Sequence, residues 1–134
     1  MSFNHLYYPE EKDYIDKFKE LYSSNIVTPE GYVVYFKTEE KDIAHFWRGG
    51  KGGNFNKQRA SKIQWIREIL ENKELRIAKI NPKDHQEIYF ICIEKRKKYV
   101  IRCRNKFTNY FFCYTAYPIK SSQLQSYLKW DNFT

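Results

Sequence analysis

The sequence predicts an α+β fold in which N-terminal helices pack on one face of a roughly four-stranded antiparallel sheet, followed by a short C-terminal helix. Three observations predict it: helical spacing of apolar residues in the first half, β-type alternation over residues 77–117, and a length of 134 residues that suits one hydrophobic core. We therefore expect a single domain over residues 1–134.

The helices are predicted from apolar side chains that recur every three or four positions. The first helix is expected over residues 10–23, the second over residues 58–71, and a short third one over residues 121–129. Their apolar stripes contain, in order, Tyr14, Ile15, Phe18, Leu21 and Tyr22, then Ile63, Ile66 and Leu70, then Leu124, Tyr127 and Leu128.

Strands are predicted where β-branched and aromatic residues cluster or alternate with polar ones. A short strand is expected over residues 31–36. The C-terminal half then forms an antiparallel meander with strands over residues 77–80, 87–94, 99–104 and 110–117. Simple alternation places Thr115 and Tyr117 on one face of the last strand and Tyr114 and Ala116 on the other.

Residues 43–57 are expected to form a flexible or tightly turned loop rather than a core element. Four of the five glycines of the chain lie here within five positions, around Lys51, and glycine favours turns and mobile backbone. Loops of this kind often carry functional residues.

The positive charge is concentrated in the C-terminal two-thirds of the chain. The net charge is +8, from 24 Lys and Arg and 16 Asp and Glu. Residues 1–42 contain five lysines and nine acids, a net −4, so residues 43–134 carry +12. This asymmetry indicates a polyanionic partner, most simply nucleic acid. The acidic first 42 residues belong to the fold or act as a regulatory cover over the basic surface.

Cys92, Cys103 and Cys113 are predicted to be reduced core thiols, because they are odd in number and lie in predicted strands. They form no Cys-x-x-Cys pair, and no histidines cluster with them to make a zinc site. The first residues lack the layout of a signal peptide, and no apolar run reaches the roughly 18 residues of a membrane span. We expect a cytoplasmic protein with no membrane partner.

Arg59 and His45 are the residues that most suggest chemistry. Residues 45–67 contain six Lys and Arg and no acid. Arg59 lies four positions before Ile63, on the core-facing side of the second helix, where a guanidinium needs an anion. A carboxylate of the chain or the phosphate of a ligand would each supply it. His45 precedes the glycine loop, and a proton carrier beside cations is what RNA transesterification requires.

Further cations are expected to contact phosphates. Arg102 and Arg104 share a face of their strand, where they form either a phosphate clamp with Thr115 and Tyr117 or a solvated polar face. The run at residues 95–98 is expected to be a solvated hairpin tip. The predicted nucleic-acid contacts are Arg48, Lys51, Lys57, Lys62, Arg102 and Arg104.

Several other chemistries lack support in the sequence. The glycine loop does not continue into the Lys-Ser/Thr of a phosphate-binding Walker motif. The basic part has only isolated carboxylates, so we expect no metal ion and no cofactor. Cleavage of nucleic acid without a metal largely restricts the substrate to RNA, whose 2′-hydroxyl serves as the nucleophile.

The order of three motifs resembles the phage-associated nucleases of the barnase–EndoU–colicin–RelE group. The motifs are His45 before a basic segment, the helix from Arg59 to Leu70, and the strand that ends Tyr114-Thr115-Ala116-Tyr117-Pro118. The resemblance covers residues 43–118, and residues 119–134 form a C-terminal tail. It implies one or two N-terminal helices on a four-stranded antiparallel sheet and the activity of a metal-independent ribonuclease.

The resemblance also implies roles for particular residues. His45 becomes the candidate for proton transfer, Arg59 the phosphate or transition-state contact, and Thr115 with Tyr117 the end of the active-site strand. The glycine-rich insertion between His45 and Arg59 departs from the pattern of the group.

The leading hypothesis is a ribonuclease toxin that cleaves RNA, with tRNA as one candidate, to a 2′,3′-cyclic phosphate. An acidic antitoxin or immunity protein is the expected partner. Two alternatives stay open: a nucleic-acid-binding module without catalysis, and an interaction protein, such as an immunity or anti-defence factor, that docks on an acidic partner.

Overall fold

A computed structural model describes residues 5–48, 53–94 and 96–130. The fold is α+β, with helices packed against a six-stranded mixed sheet. The helices are α1 (Glu11–Tyr22), α2 (Glu40–Arg48), α3 (Lys57–Ala60), α4 (Ile63–Glu71) and α5 (Ser121–Leu128), with a 3₁₀ turn at Lys73–Leu75. The strands are β1 (Ile26–Val27), β2 (Val33–Tyr35), β3 (Arg76–Asn81), β4 (Asp84–Cys92), β5 (Tyr99–Phe107) and β6 (Tyr110–Pro118).

The expectation of a four-stranded antiparallel sheet was wrong in strand number and in direction. The strand order is β1-β2-β6-β5-β4-β3, and β2 pairs with β6 in parallel while the other neighbours are antiparallel. The predicted meander is present as β3 to β6. Two short N-terminal strands extend it. Strand β2 lies within the strand predicted over residues 31–36, whereas β1, with two residues, is too short for β-type alternation to show in the sequence.

The short length of β2 leaves half of β6 without a strand on its outer edge. Strand β2 pairs only with Tyr110 to Phe112 of β6. In the described part of the chain, no strand covers that edge from Cys113 to Pro118. Helices α2 and α3 approach this free half of β6, and they carry the two residues predicted to act chemically.

The predicted first helix is confirmed as α1, and it belongs to the main hydrophobic core. Tyr14, Phe18 and Tyr22 are buried in the cluster that also contains Ile66 of α4 and Phe90 of β4. Of the acids of α1, Asp16 and Glu20 are exposed, whereas Glu11 faces α2 and accepts a hydrogen bond from Trp47. The acidic N-terminal segment is therefore part of the fold.

The expectation of a loop over residues 43–57 was wrong for its first part. Residues up to Arg48 form α2, and Ile43, Phe46 and Trp47 are buried on one side of it. Their spacing of three and four positions is helical, but the glycines that follow hide the pattern. Three of those glycines and Lys51 lie outside the described residues.

The second predicted helix is interrupted. It forms α3 and α4, which are separated by Ser61 and Lys62. Asn56 begins α3 by accepting a hydrogen bond of 3.0 Å from the backbone N–H of Arg59, as expected of an N-cap side chain. The break gives α3 its own direction, and its Arg59 reaches β6.

Helix α5 covers the opposite face of the sheet. A second hydrophobic cluster there contains Tyr89, Ile91, Val100, Ile119 and Leu124. Helices α1, α2 and α4 pack on the other face, which carries all three cysteines as buried free thiols. The sheet thus has helices on both faces.

Candidate functional site

Seven residues around the second half of β6 form one group in the structure. We call this group the β6 cluster and define it as His45, Arg59, Glu87, Arg102, Arg104, Tyr114 and Tyr117. Tyr114 and Tyr117 are three positions apart on an extended strand, or about 10 Å at about 3.3 Å per residue. They connect the side chains of α2 and α3 to those of β4 and β5.

His45 lies on the exposed side of the last turn of α2 and lines a pocket beside β6. The pocket has a volume of about 280 Å³ and also contains Lys37, Lys41 and Tyr114. Lys37 is held over the ring of Phe112, with its Nζ 4.8 Å from the ring centre. The carboxylate of Asp42 also lines this pocket, so the His45 imidazole faces a solvent-accessible space with two cations, one anion and a phenol.

Arg59 reaches from α3 to the free edge of β6. Its Nη2 donates to the carbonyl oxygen of Ala116 at 3.4 Å, and its guanidinium carbon lies 5.3 Å from the centre of the Tyr117 ring. The side chain is half-buried, and its Nε has no hydrogen-bond partner among the described residues. Burial lowers the pKa of Arg59, but an arginine stays cationic at neutral pH.

The two alternatives for Arg59 can now be compared. No carboxylate in the described ranges lies within 4 Å of its guanidinium. The internal salt bridge is therefore not seen, and a half-buried cation is held only by a carbonyl oxygen and an aromatic ring. Such a group favours the entry of an external anion, because a charge away from water is costly without a counter-charge.

A β-bulge corrects the expected faces of β6. Arg102 is paired with Thr115, but the next residue, Cys103, is paired with Cys113, so Tyr114 is the extra residue. Simple alternation had placed Tyr114 opposite Thr115 and Tyr117. A bulge turns the side chain of the extra residue, and Tyr114 lies on the face that carries Arg102.

Glu87 links the arginines of β5 to Tyr114. It is 6% exposed, accepts a hydrogen bond from the Tyr114 hydroxyl, and lies 3.4 Å from Arg102 Nη2 and 3.7 Å from Arg104 Nη2. Arg102 also lies 4.8 Å from the centre of the Tyr89 ring. Arg102 and Arg104 thus differ from both expectations, a phosphate clamp and a solvated polar face, because the buried carboxylate of Glu87 orients both side chains.

Tyr117 joins the two arginines of the β6 cluster that lie nearest to it. Its ring faces Arg59, and its hydroxyl is hydrogen-bonded with Arg102. Burial lowers the pKa of Arg102, but the hydrogen bond with Tyr117 and the nearby tyrosine oxygens outweigh burial and raise it. Thr115, the other predicted residue of this strand end, is half-buried and paired with Arg102 across the sheet.

Arg48 has a structural partner. It binds Glu11 of α1 through two hydrogen bonds, Nε to Oε2 at 2.9 Å and Nη2 to Oε1 at 2.6 Å, and its Nη1 donates to the Gly53 carbonyl at 3.0 Å. The indole N–H of Trp47 donates to the same carboxylate at 2.7 Å. The Arg48 hydrogen bond is the main reason why the pKa of Glu11 is lowered. This guanidinium joins α1 to α2.

The remaining predicted phosphate contacts are dispersed. Lys57 is exposed at the start of α3, and Lys51 lies outside the described residues. Lys62 follows α3 and lies near the end of β6, with its Nζ 3.0 Å from the Gln58 carbonyl and 5.6 Å from the Trp65 ring centre. It lines a different pocket from His45.

Glu87 was missed in the sequence, although a signal for it was present. It is an acid directly before the apolar run from Ile88 to Cys92, and alternation places it on the same face as Tyr89. Only the register, which pairs it with Arg104, shows that it meets the arginines.

Among the residues described, no group of three His, Cys, Asp or Glu side chains is arranged to hold a metal ion. Within the same ranges, no helix is long and apolar enough to cross a membrane. Comparison with protein-family models, with curated proteins and with solved structures finds no match to this chain. Its function is therefore argued from the β6 cluster itself.

Proposed function

We propose that the chain is an endoribonuclease that cleaves RNA by transesterification without a metal ion. One observation carries this proposal: α2 brings His45, and α3 brings Arg59, to the same free half of β6. Arg59 has no carboxylate partner among the described residues. The pocket that contains His45 is accessible to solvent, and its lining holds two cations, Lys37 and Lys41, beside one carboxylate, Asp42. The excess positive charge would attract the phosphate of a substrate.

In the proposed reaction, the 2′-oxygen of a ribose forms a bond to the adjacent phosphorus, and the bond from phosphorus to the 5′-oxygen breaks. His45 takes the proton of the 2′-hydroxyl and returns a proton to the leaving 5′-oxygen. The products are a 2′,3′-cyclic phosphate and a free 5′-hydroxyl, so atoms and charge balance without another reactant.

Arg59 is the proposed stabiliser of the charge that develops on the phosphorane. Its Nε has no protein partner among the described residues, and a planar guanidinium can bind two phosphate oxygens. Tyr117 and Arg102 would orient the phosphate from the other side, with Glu87 holding Arg102 in place. Fixed charges of this kind lower the barrier because they need no reorganisation during the reaction.

The test is cleavage of end-labelled total tRNA by the purified protein in the presence of EDTA. We expect fragments that end in 2′,3′-cyclic phosphate. His45→Ala should lower the rate by at least about 100-fold, as loss of an acid–base group does. Arg59→Ala should lower it by a similar factor, and Arg59→Lys should recover only part of it because lysine lacks the planar fork.

The matched control is His85→Ala, which removes an exposed histidine of β4 outside the β6 cluster. This variant should cleave at the wild-type rate. Intact RNA after incubation with folded wild-type protein would overturn the ribonuclease proposal. Binding of RNA that persists unchanged in His45→Ala would then favour the module without catalysis.

The proposal includes a cellular role as a cytoplasmic toxin, with tRNA as a candidate substrate and an acidic antitoxin or immunity protein as partner. The charge of +12 on residues 43–134 supports an acidic partner by complementarity. Expression of the wild type should stop bacterial growth, and expression of Arg59→Ala at the same level should not. Equal growth with both chains contradicts the toxin role.

A further inference from the structure

A second cationic pocket lies where β6 ends. It has a volume of about 400 Å³, and the described residues that line it include five basic residues and no Asp or Glu. We call it the basic pocket and define it by Lys62, Arg96, Lys97, Lys98 and Lys120, with Trp65, Pro118, Ile119 and Ser121 completing its lining.

The cations of the basic pocket come from three separate parts of the chain. Lys62 follows α3, Lys97 and Lys98 precede β5, and Lys120 precedes α5. The pocket therefore gathers positive charge from distant parts of the sequence, and an anion that entered it would interact favourably with these cations. Glu68, a half-buried carboxyl of α4, is close enough to sense the charge of Lys97, but it does not line the pocket.

Lys62 is a cation of the basic pocket whose charged form is disfavoured by burial. It is half-buried, and in the described ranges no carboxylate lies within 4 Å of its ammonium group. A carbonyl oxygen and the Trp65 ring are its contacts. Burial lowers the pKa of Lys62. A phosphate entering the pocket would reverse that penalty by supplying the missing opposite charge.

The position of the basic pocket relates it to the β6 cluster. Arg59 contacts Ala116 and Tyr117, and the basic pocket begins at the next residue, Pro118. His45 lies on the other side, where its pocket is lined by Tyr114. Arg59 and the basic pocket therefore follow one another along a single extended strand. A nucleic-acid strand presents its phosphates in the same manner, in a row at regular intervals.

We propose that the basic pocket binds a backbone phosphate of a single RNA strand whose scissile phosphate lies at Arg59. This inference rests on the proposed function for the identity of the substrate. The binding itself requires no catalysis, so it can be measured on a strand that cannot be cleaved. The ribonuclease then needs a substrate that extends beyond the cleavage site toward the end of β6.

The probe is a fluorescent 2′-O-methyl oligoribonucleotide of about ten residues, within the usual site size of single-strand binding proteins. Its methylated 2′-oxygen cannot attack the phosphorus. The test protein carries Lys97→Ala, Lys98→Ala and Lys120→Ala in the full chain. We expect its Kd to rise about tenfold and the slope of log Kd against log salt to fall by about 1, as for loss of one phosphate contact.

The matched control carries Lys12→Ala, Lys83→Ala and Lys129→Ala, which remove the same charge from exposed positions outside both pockets. Its Kd should rise less than about twofold, because distant exposed charges are screened. If the triple variant of the pocket does not fold, Lys120→Glu replaces it, since Lys120 is exposed. The same direction of change is expected.

The outcomes separate the two proposals. Selective loss of binding in the pocket variant supports the inference, even if wild-type protein fails to cleave unmodified RNA and the ribonuclease proposal falls. Equal losses in the two triple variants, or unchanged binding in both, overturn the inference although cleavage may be seen with the wild type. Failure of wild-type protein to bind the probe also overturns it and leaves an acidic protein as the occupant to test.

Discussion

At the scale of single residues, the partners of a guanidinium distinguish a structural arginine from a candidate binding group. Arg48 and Arg76 each bind a carboxylate through two nitrogens. Arg59 is held by a carbonyl oxygen and a tyrosine ring. All three are cations of the same type, so this difference in partners supports a binding role for Arg59 alone.

The pair of Arg76 and Glu30 is the most buried ion pair of the described residues. The Arg76 side chain is 0% exposed and that of Glu30 is 11% exposed. Arg76 Nη1 donates to Glu30 Oε2 at 2.7 Å, its Nε donates to the Ile69 carbonyl at 3.2 Å, and its guanidinium lies over Phe90. Removal of either charge would leave the other buried without compensation.

We predict that Glu30→Gln lowers the free energy of unfolding by about 3 kcal/mol at pH 7, because it leaves the buried Arg76 without its counter-charge. Urea unfolding followed by circular dichroism measures the change. Glu39→Gln is the control, since Glu39 is exposed and 3.8 Å from an equally exposed Lys41; it should change stability by less than about 0.5 kcal/mol. Similar values for the two variants would contradict the prediction.

The same pair predicts a dependence on pH. The hydrogen bond with Arg76 lowers the pKa of Glu30 below its usual 4.5. A lowered pKa in the folded state means that the stabilisation is fully present above pH 4.5 and is lost as pH falls through the folded pKa. The difference in stability between wild type and Glu30→Gln should therefore shrink below pH 4.5. Urea unfolding from pH 6 to pH 3 measures it, and a constant difference would contradict it.

At the scale of elements, two local irregularities create the candidate site. The bulge in β6 brings Tyr114 to the face of Arg102, and the break between α3 and α4 frees Arg59 to reach β6. The short β2 leaves the necessary edge open. Regular strands and one continuous helix would satisfy the same hydrophobic pattern without forming this cluster.

Helix α5 depends on a buried lysine. Lys79 of β3 is 2% exposed, and its Nζ donates to the carbonyl oxygens of Leu128 at 3.2 Å and Trp130 at 2.5 Å. These carbonyls lie at and just beyond the C-terminal end of α5, where a cation also interacts favourably with the helix dipole. Lys79 thus attaches α5 to the sheet.

We predict that Lys79→Met loosens α5, because methionine retains the apolar bulk but cannot donate to the two carbonyls. Amide hydrogen exchange in residues 121–128 should become at least about fivefold faster, which corresponds to about 1 kcal/mol. Exchange in α4 should stay unchanged. Lys83→Met, at an exposed turn, is the control, and equal protection of α5 in both variants would show that Lys79 does not hold it.

At the scale of the whole molecule, the acidic and the basic parts of the chain belong to one folded unit. The acidic N-terminal segment contributes Tyr14 and Phe18 to the main core, and Glu11 anchors Arg48. Part of the positive charge of the later residues lies along β6 and at its end, whereas Arg76 and Lys79 are buried in contacts elsewhere in the fold. The N-terminal segment is therefore part of the hydrophobic core. It is not a separate segment that covers the basic surface and could be removed without disturbing the fold.

We predict that Phe18→Ala lowers the free energy of unfolding by about 4 kcal/mol, as expected for loss of a buried aromatic side chain. Its ring is fully buried, with ring centres of Tyr22 and Phe46 each 4.7 Å away. Tyr7→Ala is the control, because Tyr7 is 70% exposed. Thermal and urea unfolding measure both variants. A small effect of Phe18→Ala would show that α1 is peripheral to the core.

Much of the fold was predictable because its elements have regular hydrophobic patterns. Helix α1, the four strands of the meander and α5 follow from spacing alone. The loop prediction failed at α2 because the glycines after it dominate the local composition. The candidate site was predictable in part. Five of the seven residues of the β6 cluster were predicted, namely His45, Arg59, Arg102, Arg104 and Tyr117, whereas Glu87 and the position of Tyr114 needed the register of β4 to β6.

The sequence by itself determined the α+β class, the burial of the cysteines and the separation of charge along the chain, because these depend on local periodicity and composition. Only the tertiary structure decided which edge of β6 stays open, which arginines find carboxylates and which cations share a pocket. These features depend on contacts between residues far apart in the chain, such as Arg59 with Ala116, which are 57 positions apart. Local spacing carries no information about such contacts, since they arise from the packing of whole elements.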